Sequence, residues 1–150
     1  MQDWIGSKSL LFSRIFVVLF ALLLLALDIW GYPIVTWFGQ LRRLHWQRSL
    51  GILIELYACS VLGWILLWNM WRLLGDLQKG LIFTAENIAR LGRVSWCCAG
   101  AAALCALGCS FYMPFLIPVA AASFMALIVR IVRNVFQKAL DMKSELDLTV

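Results

Sequence analysis

The sequence has little charge for its length. Asp, Glu, Lys and Arg make up 14% of its 150 residues, whereas a soluble domain has about 25%. It has one histidine and three prolines. Hydrophobic residues make up 63% of the chain, against about 45–50% in a soluble domain. A water-soluble fold of this size could not bury so much apolar surface, which excludes a disordered chain, a secreted disulfide miniprotein and an ordinary cytosolic enzyme.

Sequence patterns of common catalytic and metal sites are also missing. The chain contains no Gly-rich phosphate loop, no HExxH and no DxDxDG, and its only histidine, His45, lies in a loop outside the predicted membrane core. The cysteines form no CxxC pair. We therefore expect no enzymatic activity, no metal and no cofactor. The cysteines are interpreted as packing residues of membrane helices, with palmitoylation of Cys97 or Cys98 and metal or redox chemistry as alternatives.

What the sequence has instead is long apolar segments. Roughly 20 apolar residues suffice to cross a bilayer, and four segments of about that length are expected, at 15–38, 50–74, 94–115 and 116–135. Short links would make two antiparallel hairpins, joined by a longer polar loop at 75–93 and followed by a tail at 136–150. The predicted fold is an all-α integral membrane protein with a single four-helix transmembrane domain over 1–150. The first segment is too long for a signal peptide.

The positive charges are distributed unequally between the two sides of the predicted membrane. The side with both termini and the middle loop carries Lys8, Arg14, Arg72, Lys79, Arg90, Arg93, Arg130, Arg133, Lys138 and Lys143, whereas the other side carries Arg42, Arg43 and Arg48. The positive-inside rule then places both termini of a multi-pass membrane protein in the cytoplasm. Because this topology accounts for the net charge of +5, the expected partner is the lipid bilayer and not nucleic acid.

The polar stretch before the third segment predicts a short cytoplasmic amphipathic helix over 84–93, running into that segment. Thr84 is a candidate N-cap, and Glu86 would lie beside the positive helix end. The helix would either anchor the loop in lipid headgroups or dock a cytosolic partner. The residues expected to bind such a partner are Thr84, Glu86, Asn87, Ile88, Arg90 and Leu91.

The tail at 136–150 is expected to continue the fourth helix into the cytoplasm. Val135, Ala139 and Met142 follow the i, i+4, i+7 spacing of one helical face, and the final LDLTV is open to an extended conformation. Val135 and Met142 complete the predicted partner-binding set. The alternative is a solvated tail.

Two stretches resemble a known family. GLIFTAENIARLGRVSW at 80–96 is similar to the family's Phe-Thr-x-Glu-Asn pattern and the basic turn after it, and SELDLTV at 144–150 is similar to its Glu-x-Asp-Leu-Thr ending. The family is DUF2975, a group of bacterial four-helix membrane proteins, from which this chain departs in having Gly92 in place of a basic residue. The resemblance implies no established activity. It does imply a cytosolic helix-turn-helix regulator as a partner, because such a regulator is often encoded beside family members.

Two acidic residues, Asp28 and Glu55, fall within the first and second apolar segments. A charged residue at the centre of a membrane helix costs roughly 2.5–3.5 kcal/mol, so each needs a partner or a function. The functional interpretation is a cation, proton or ligand site open to the outside, in which two close carboxyls would share a proton. The alternative is that they pair with Arg42, Arg43 or a tyrosine hydroxyl and fix the hairpin.

Together these patterns predict a non-enzymatic regulatory or sensor-like membrane protein that binds a cytosolic partner through its loop and tail. One alternative is a small transporter or ligand-binding membrane protein that uses Asp28 and Glu55. A further alternative is a structural subunit of a membrane complex, and association into a homo-oligomer is left open.

Overall fold

Long α-helices make up most of the computed structural model, which describes residues 2–43, 45–80, 84–110 and 112–148. Side chains are described over 10–43, 45–80, 84–110 and 112–146. The helices are α1 (Gln2–Leu41), α2 (Trp46–Gln78), α3 (Ala85–Gly108) and α4 (Leu116–Leu148), with a 3-10 turn at Met113–Phe115. Each of the four contains a stretch long and apolar enough to cross a membrane. The predicted all-α, four-helix membrane fold is confirmed.

The helix boundaries differ from the predicted segments. α1 begins at Gln2 and continues through Pro33 to Leu41, and α2 continues to Gln78, so the α2–α3 connection is shorter than the predicted 75–93. The predicted end of the third segment at 115 is wrong, because α3 ends at Gly108. Pro114 cannot continue a helix, but it fits the first turn of the next element, where its missing amide leaves no hydrogen bond unmade.

The predicted amphipathic helix is the first part of α3, continuous with the membrane-spanning part. Thr84 is its N-cap: the Thr84 hydroxyl accepts a hydrogen bond of 3.3 Å from the amide of Asn87. Glu86 lies in the first turn, where its charge favours the positive end of the helix. Gly80 ends the preceding helix with a φ of 75°, which glycine adopts without steric cost. Phe83, part of the family-like pattern, lies outside the described residues.

The predicted helical continuation of the tail is confirmed as far as the structure describes it. α4 runs without interruption to Leu148, so an extended conformation is wrong for 146–148. Thr149 and Val150 lie outside the described residues.

The helices pack in chain order, α1 on α2, α2 on α3 and α3 on α4. Within the described ranges α1 and α4 do not contact each other, so the four helices form a row and not a closed bundle. α3 lies within this row, and the side chains of Cys97, Cys98, Ala102 and Cys105 are buried. Small and soft residues allow membrane helices to approach closely, which agrees with the packing role expected for the cysteines.

Along the direction of the helix axes, the molecule has two opposite ends. The hairpin end carries the connections at 42–45 and 109–112, and the basic end carries the connection at 79–84, the start of α1 and the end of α4. Short connections between long, packed helices make all neighbours antiparallel. These two names are used below for the two ends of the molecule.

Candidate functional site

Asp28 lies in a polar bridge between α1 and α2. Its carboxylate accepts a hydrogen bond from the Ser60 hydroxyl and one of 2.9 Å from the indole nitrogen of Trp64. The Tyr57 hydroxyl donates to the main-chain oxygen of Asp28 at 3.3 Å. Residues 57, 60 and 64 follow the i, i+3, i+7 spacing of one helical face. Three side chains of α2 therefore hold Asp28 in place.

Glu55 lies between α2 and α3 and is 8% exposed. Its carboxyl group packs against the backbone of Gly108, where a Cβ atom would overlap both carboxyl oxygens. The side chain of Cys105 on α3 is a close neighbour of Glu55, and the Cys105 sulfur lies 4.0 Å from that of Cys59. The Oε1 atom of Glu55 is buried without a hydrogen-bond partner among the described residues. An unpartnered buried polar atom is unusual in a native structure and calls for an explanation.

The structure does not bring the two carboxyls together. Trp64 follows Glu55 by nine residues, a rotation of about 180° around a helix of 3.6 residues per turn. The carboxyl of Glu55 and the partners of Asp28 thus lie on opposite faces of α2. No hydrogen bond or ion pair in the described part of the chain joins them, so the shared-proton site is not supported.

No ion pair within the described residues joins Asp28 or Glu55 to Arg42 or Arg43, the predicted arginine partners. The guanidinium of Arg42 lies over the ring of Phe38, 6.0 Å from its centre. Among the described residues, the one tyrosine hydroxyl that hydrogen-bonds to Asp28 is that of Tyr57, and it reaches the main chain and not the carboxylate. Asp28 is stabilised instead by Ser60 and Trp64, which the sequence analysis had not assigned to it.

Arg90 forms a buried ion-pair cluster at the basic end. It is 5% exposed, and its guanidinium pairs with Asp76 on α2 and Glu86 on α3. It also donates a 3.2 Å hydrogen bond to the side-chain oxygen of Asn87, a residue that is 0% exposed. The cluster therefore joins the end of α2 to the start of α3, and Asp76 is a member that the sequence analysis missed.

Most of the predicted partner-binding residues on α3 are not accessible. Ile88 and Leu91 are 3% and 8% exposed, and Asn87 and Arg90 are also buried. The expectation that Ile88 and Leu91 present an open apolar face is wrong, because this face packs inside the chain itself. Glu86 keeps its side chain 66% exposed, but that side chain is engaged by Arg90.

The predicted residues on α4 are accessible. Val135 is 60% and Met142 is 59% exposed, and Leu146 is 68% exposed. Residues 135, 142 and 146 follow i, i+7 and i+11 and lie on one helical face. We call them the α4 stripe. The structure thus divides the predicted partner-binding set into a buried α3 part and an exposed α4 part.

Side chains that could ligate a metal are scattered. Among the described residues, no group of three His, Cys, Asp or Glu side chains is arranged to hold a metal ion. Cys97 and Cys98, the candidates for palmitoylation, are both buried, and a fatty acyl chain attached there would have to displace the helix packing.

Comparisons with known proteins give one family. A family model described as "Protein of unknown function (DUF2975)" matches residues 26–150, which include the last part of α1, all of α2, α3 and α4, and both stretches that resemble the family. No curated protein matches the chain. No solved structure matches it either.

Proposed function

Since the chain belongs to the DUF2975 family, a family of unknown function, we propose that it is a non-enzymatic membrane protein that binds a cytosolic regulator through the α4 stripe. The basic end lies in the cytoplasm in this proposal, in keeping with its excess of lysine and arginine. The membrane is the bacterial inner membrane, the compartment that the family resemblance implies.

The main observation in support of this proposal is the length of α4. Its 33 residues span about 50 Å at 1.5 Å per residue, whereas the hydrocarbon core is about 30 Å thick. If α4 enters the membrane at Leu116, about 13 residues project beyond it at the basic end. Val135, Met142 and Leu146 lie on or next to this projecting part with their side chains exposed.

The chemistry of the stripe fits a helical partner. Helices bind to other helices or grooves through apolar anchors at i, i+4 and i+7 spacing. The other faces of the same segment carry Lys138, Asp141, Lys143 and Glu145, which suit contact with water. A small helix-turn-helix regulator, the partner implied by the family resemblance, offers amphipathic helices of this kind.

A capture experiment tests this proposal. The full chain is solubilised from its own host membranes, and any helix-turn-helix protein that co-purifies with it is identified and quantified by mass spectrometry. The double variant Val135→Glu with Met142→Glu should lose that protein by at least tenfold. Ser144→Glu is the control for added negative charge, because it places a glutamate on the same helix away from the stripe and should retain the protein. Equal recovery from all three forms, or none from the wild type, rejects the proposal.

A second function, ion or ligand binding within the membrane, is favoured by one observation. The Oε1 atom of Glu55 is buried and unpartnered inside a membrane-spanning helix, where ionisable residues are often functional. In that case Glu55→Gln should abolish a cellular phenotype of the protein while regulator capture continues. Asp28→Asn should not, because Asp28 is already occupied by Ser60 and Trp64. An intact phenotype in Glu55→Gln, together with loss of that phenotype in the variant Val135→Glu with Met142→Glu, would favour the regulator over this second function.

A further inference from the structure

A groove of about 550 Å³ runs between α3 and α4. Its apolar walls are formed largely by small residues, among them Ala99, Ala103, Ala106, Ser123 and Ala126. Ser95 closes it against α4 through a 3.0 Å hydrogen bond to the main-chain oxygen of Ala126. The groove thus has the narrow, apolar form that suits an alkyl chain.

Two arginines, Arg130 and Arg133, line the same groove. They are three residues apart on α4 and therefore lie on one face. The Arg133 side chain lies over Gly92 of α3, where a Cβ atom would come within 3.2 Å of its Nε atom. That Nε atom is buried and has no hydrogen-bond partner within the described residues. The groove is therefore lined by a guanidinium group with one nitrogen that the described part of the protein leaves unpaired.

The charged residues that line the groove are all positive. No Asp or Glu is among its lining residues, and the ion pairs recorded in the described part of the chain all involve Arg90. A ligand that occupies the groove and neutralises its arginines must supply negative charge.

The depth of the arginines matches a lipid headgroup. Arg130 and Arg133 lie 14 and 17 residues after Leu116, or about 21 and 26 Å at 1.5 Å per residue. In a hydrocarbon layer of about 30 Å, long arginine side chains at that depth reach the headgroups. Trp96, also on the lining, is 75% exposed, as is common for indoles at membrane interfaces.

We propose that the α3–α4 groove binds an anionic phospholipid, with the lipid phosphate at Arg130 and Arg133 and one acyl chain along the alanine-lined wall. Basic pockets between membrane helices bind anionic headgroups in this way. This site lies apart from the α4 stripe and does not depend on the proposed regulator.

The experiment uses purified full-length protein in detergent and native mass spectrometry to measure bound lipid. Phosphatidylglycerol is compared with phosphatidylcholine of the same acyl chains, and the anionic lipid should bind more tightly. The double variant Arg130→Gln with Arg133→Gln should weaken phosphatidylglycerol binding about 25-fold, or about fivefold for each arginine, and should remove the preference. The matched control, Lys138→Gln with Lys143→Gln, removes the same charge from the same helix outside the groove and should retain it.

A second variant tests the acyl-chain part of the site. Ala103→Leu with Ala106→Leu fills the groove at two positions that are exposed, so the packing of α3 on α2 is left intact. It should weaken binding of both lipids and leave the arginines in place. Equal losses in the arginine and lysine variants would overturn the proposal in favour of diffuse charge attraction. Displacement of the lipid by inorganic phosphate, or a change of oligomeric state with unaltered lipid binding in the leucine variant, would also overturn it.

Discussion

The carboxyl group of Glu55 on α2 lies directly against the backbone of Gly108 on α3. Any side chain at position 108 would occupy the space of the carboxyl oxygens. The observed position of the Glu55 carboxyl therefore requires a glycine at position 108. This contact lies at the last residue of α3, whose main-chain oxygen accepts a hydrogen bond from the amide of Tyr112. It links the hairpin end of α2 to that of α3.

Gly108→Ala should therefore lower the free energy of unfolding by about 1–3 kcal/mol, the usual cost of overpacking. Unfolding in mixed detergent and dodecyl sulfate micelles measures it. Gly100→Ala is the control, because its Cβ would meet only the flexible end of Leu62 at 3.3 Å. In a Glu55→Ala background the cost of Gly108→Ala should largely disappear. Additive effects of the two changes would show that the residues do not meet.

The ion-pair cluster of Arg90 predicts that two of its residues contribute unequally to stability. Arg90→Ala leaves Asp76 without its cationic partner and creates a cavity where the guanidinium was. It should lower the free energy of unfolding by about 3–5 kcal/mol, as removal of one partner of a buried pair does. Glu86→Gln should cost less than about 1 kcal/mol, because the Glu86 side chain is 66% exposed and water screens the pair. The same micelle unfolding ranks them, and a Glu86 effect as large as that of Arg90 would contradict the cluster.

The polar bridge between Asp28 and α2 predicts that removing the Trp64 hydrogen-bond donor lowers stability. Trp64→Phe keeps an aromatic ring but removes the indole hydrogen bond of 2.9 Å, and it should cost about 1–3 kcal/mol of unfolding free energy. Trp30→Phe is the matched control, since Trp30 is 63% exposed. In an Asp28→Leu background, Trp64→Phe should cost little. If Trp64→Phe and Trp30→Phe are equally mild in the wild-type chain, the bridge contributes nothing to stability.

Much of the fold could be predicted from the sequence because its signals are local. Apolar runs of about 20 residues predicted four crossings, and Thr84 predicted the start of α3 because a hydroxyl at that position accepts from the first free amides. Periodicity also predicted the helical tail. The end of α3 was misplaced because an apolar run passes through its connection to α4, and only Pro114 marks the break.

The contacts between helices could not be predicted in the same way. An apolar face at Ile88 and Leu91 has the same pattern whether it faces lipid, a partner or a neighbouring helix, and the structure buries it within the chain. The spacing of residues 57, 60 and 64 indicates one polar face on α2, but it does not say that Asp28 lies opposite. The Arg133 contact with Gly92 depends on the register of α3 and α4, which no local pattern determines.

The orientation of the row in the membrane is a prediction from charge. Reporter fusions after Ser49, at the hairpin end, should be active outside the cytoplasm. Fusions after Lys79 and Val150, at the basic end, should be active inside, because the lysines and arginines concentrated there resist translocation. Paired alkaline phosphatase and fluorescent protein fusions read out both sides. A Val150 fusion that reads outside would remove the α4 stripe from the cytoplasm and with it the proposed regulator contact.

The different burial of Leu91 and Met142 separates folding from partner binding. Leu91→Glu places a carboxylate at a position 8% exposed, where an unpaired charge is strongly disfavoured, so it should lower the unfolding midpoint in micelles markedly. Met142→Glu changes a side chain that is 59% exposed and should leave that midpoint unchanged while weakening regulator capture. Leu91→Ala, which creates only a cavity, should fall between them in its effect on stability. If instead Leu91→Glu folds as well as the wild type and loses the regulator, the face of α3 that carries Leu91 is accessible in the membrane-embedded protein. The partner would then bind to that face and not to the α4 stripe.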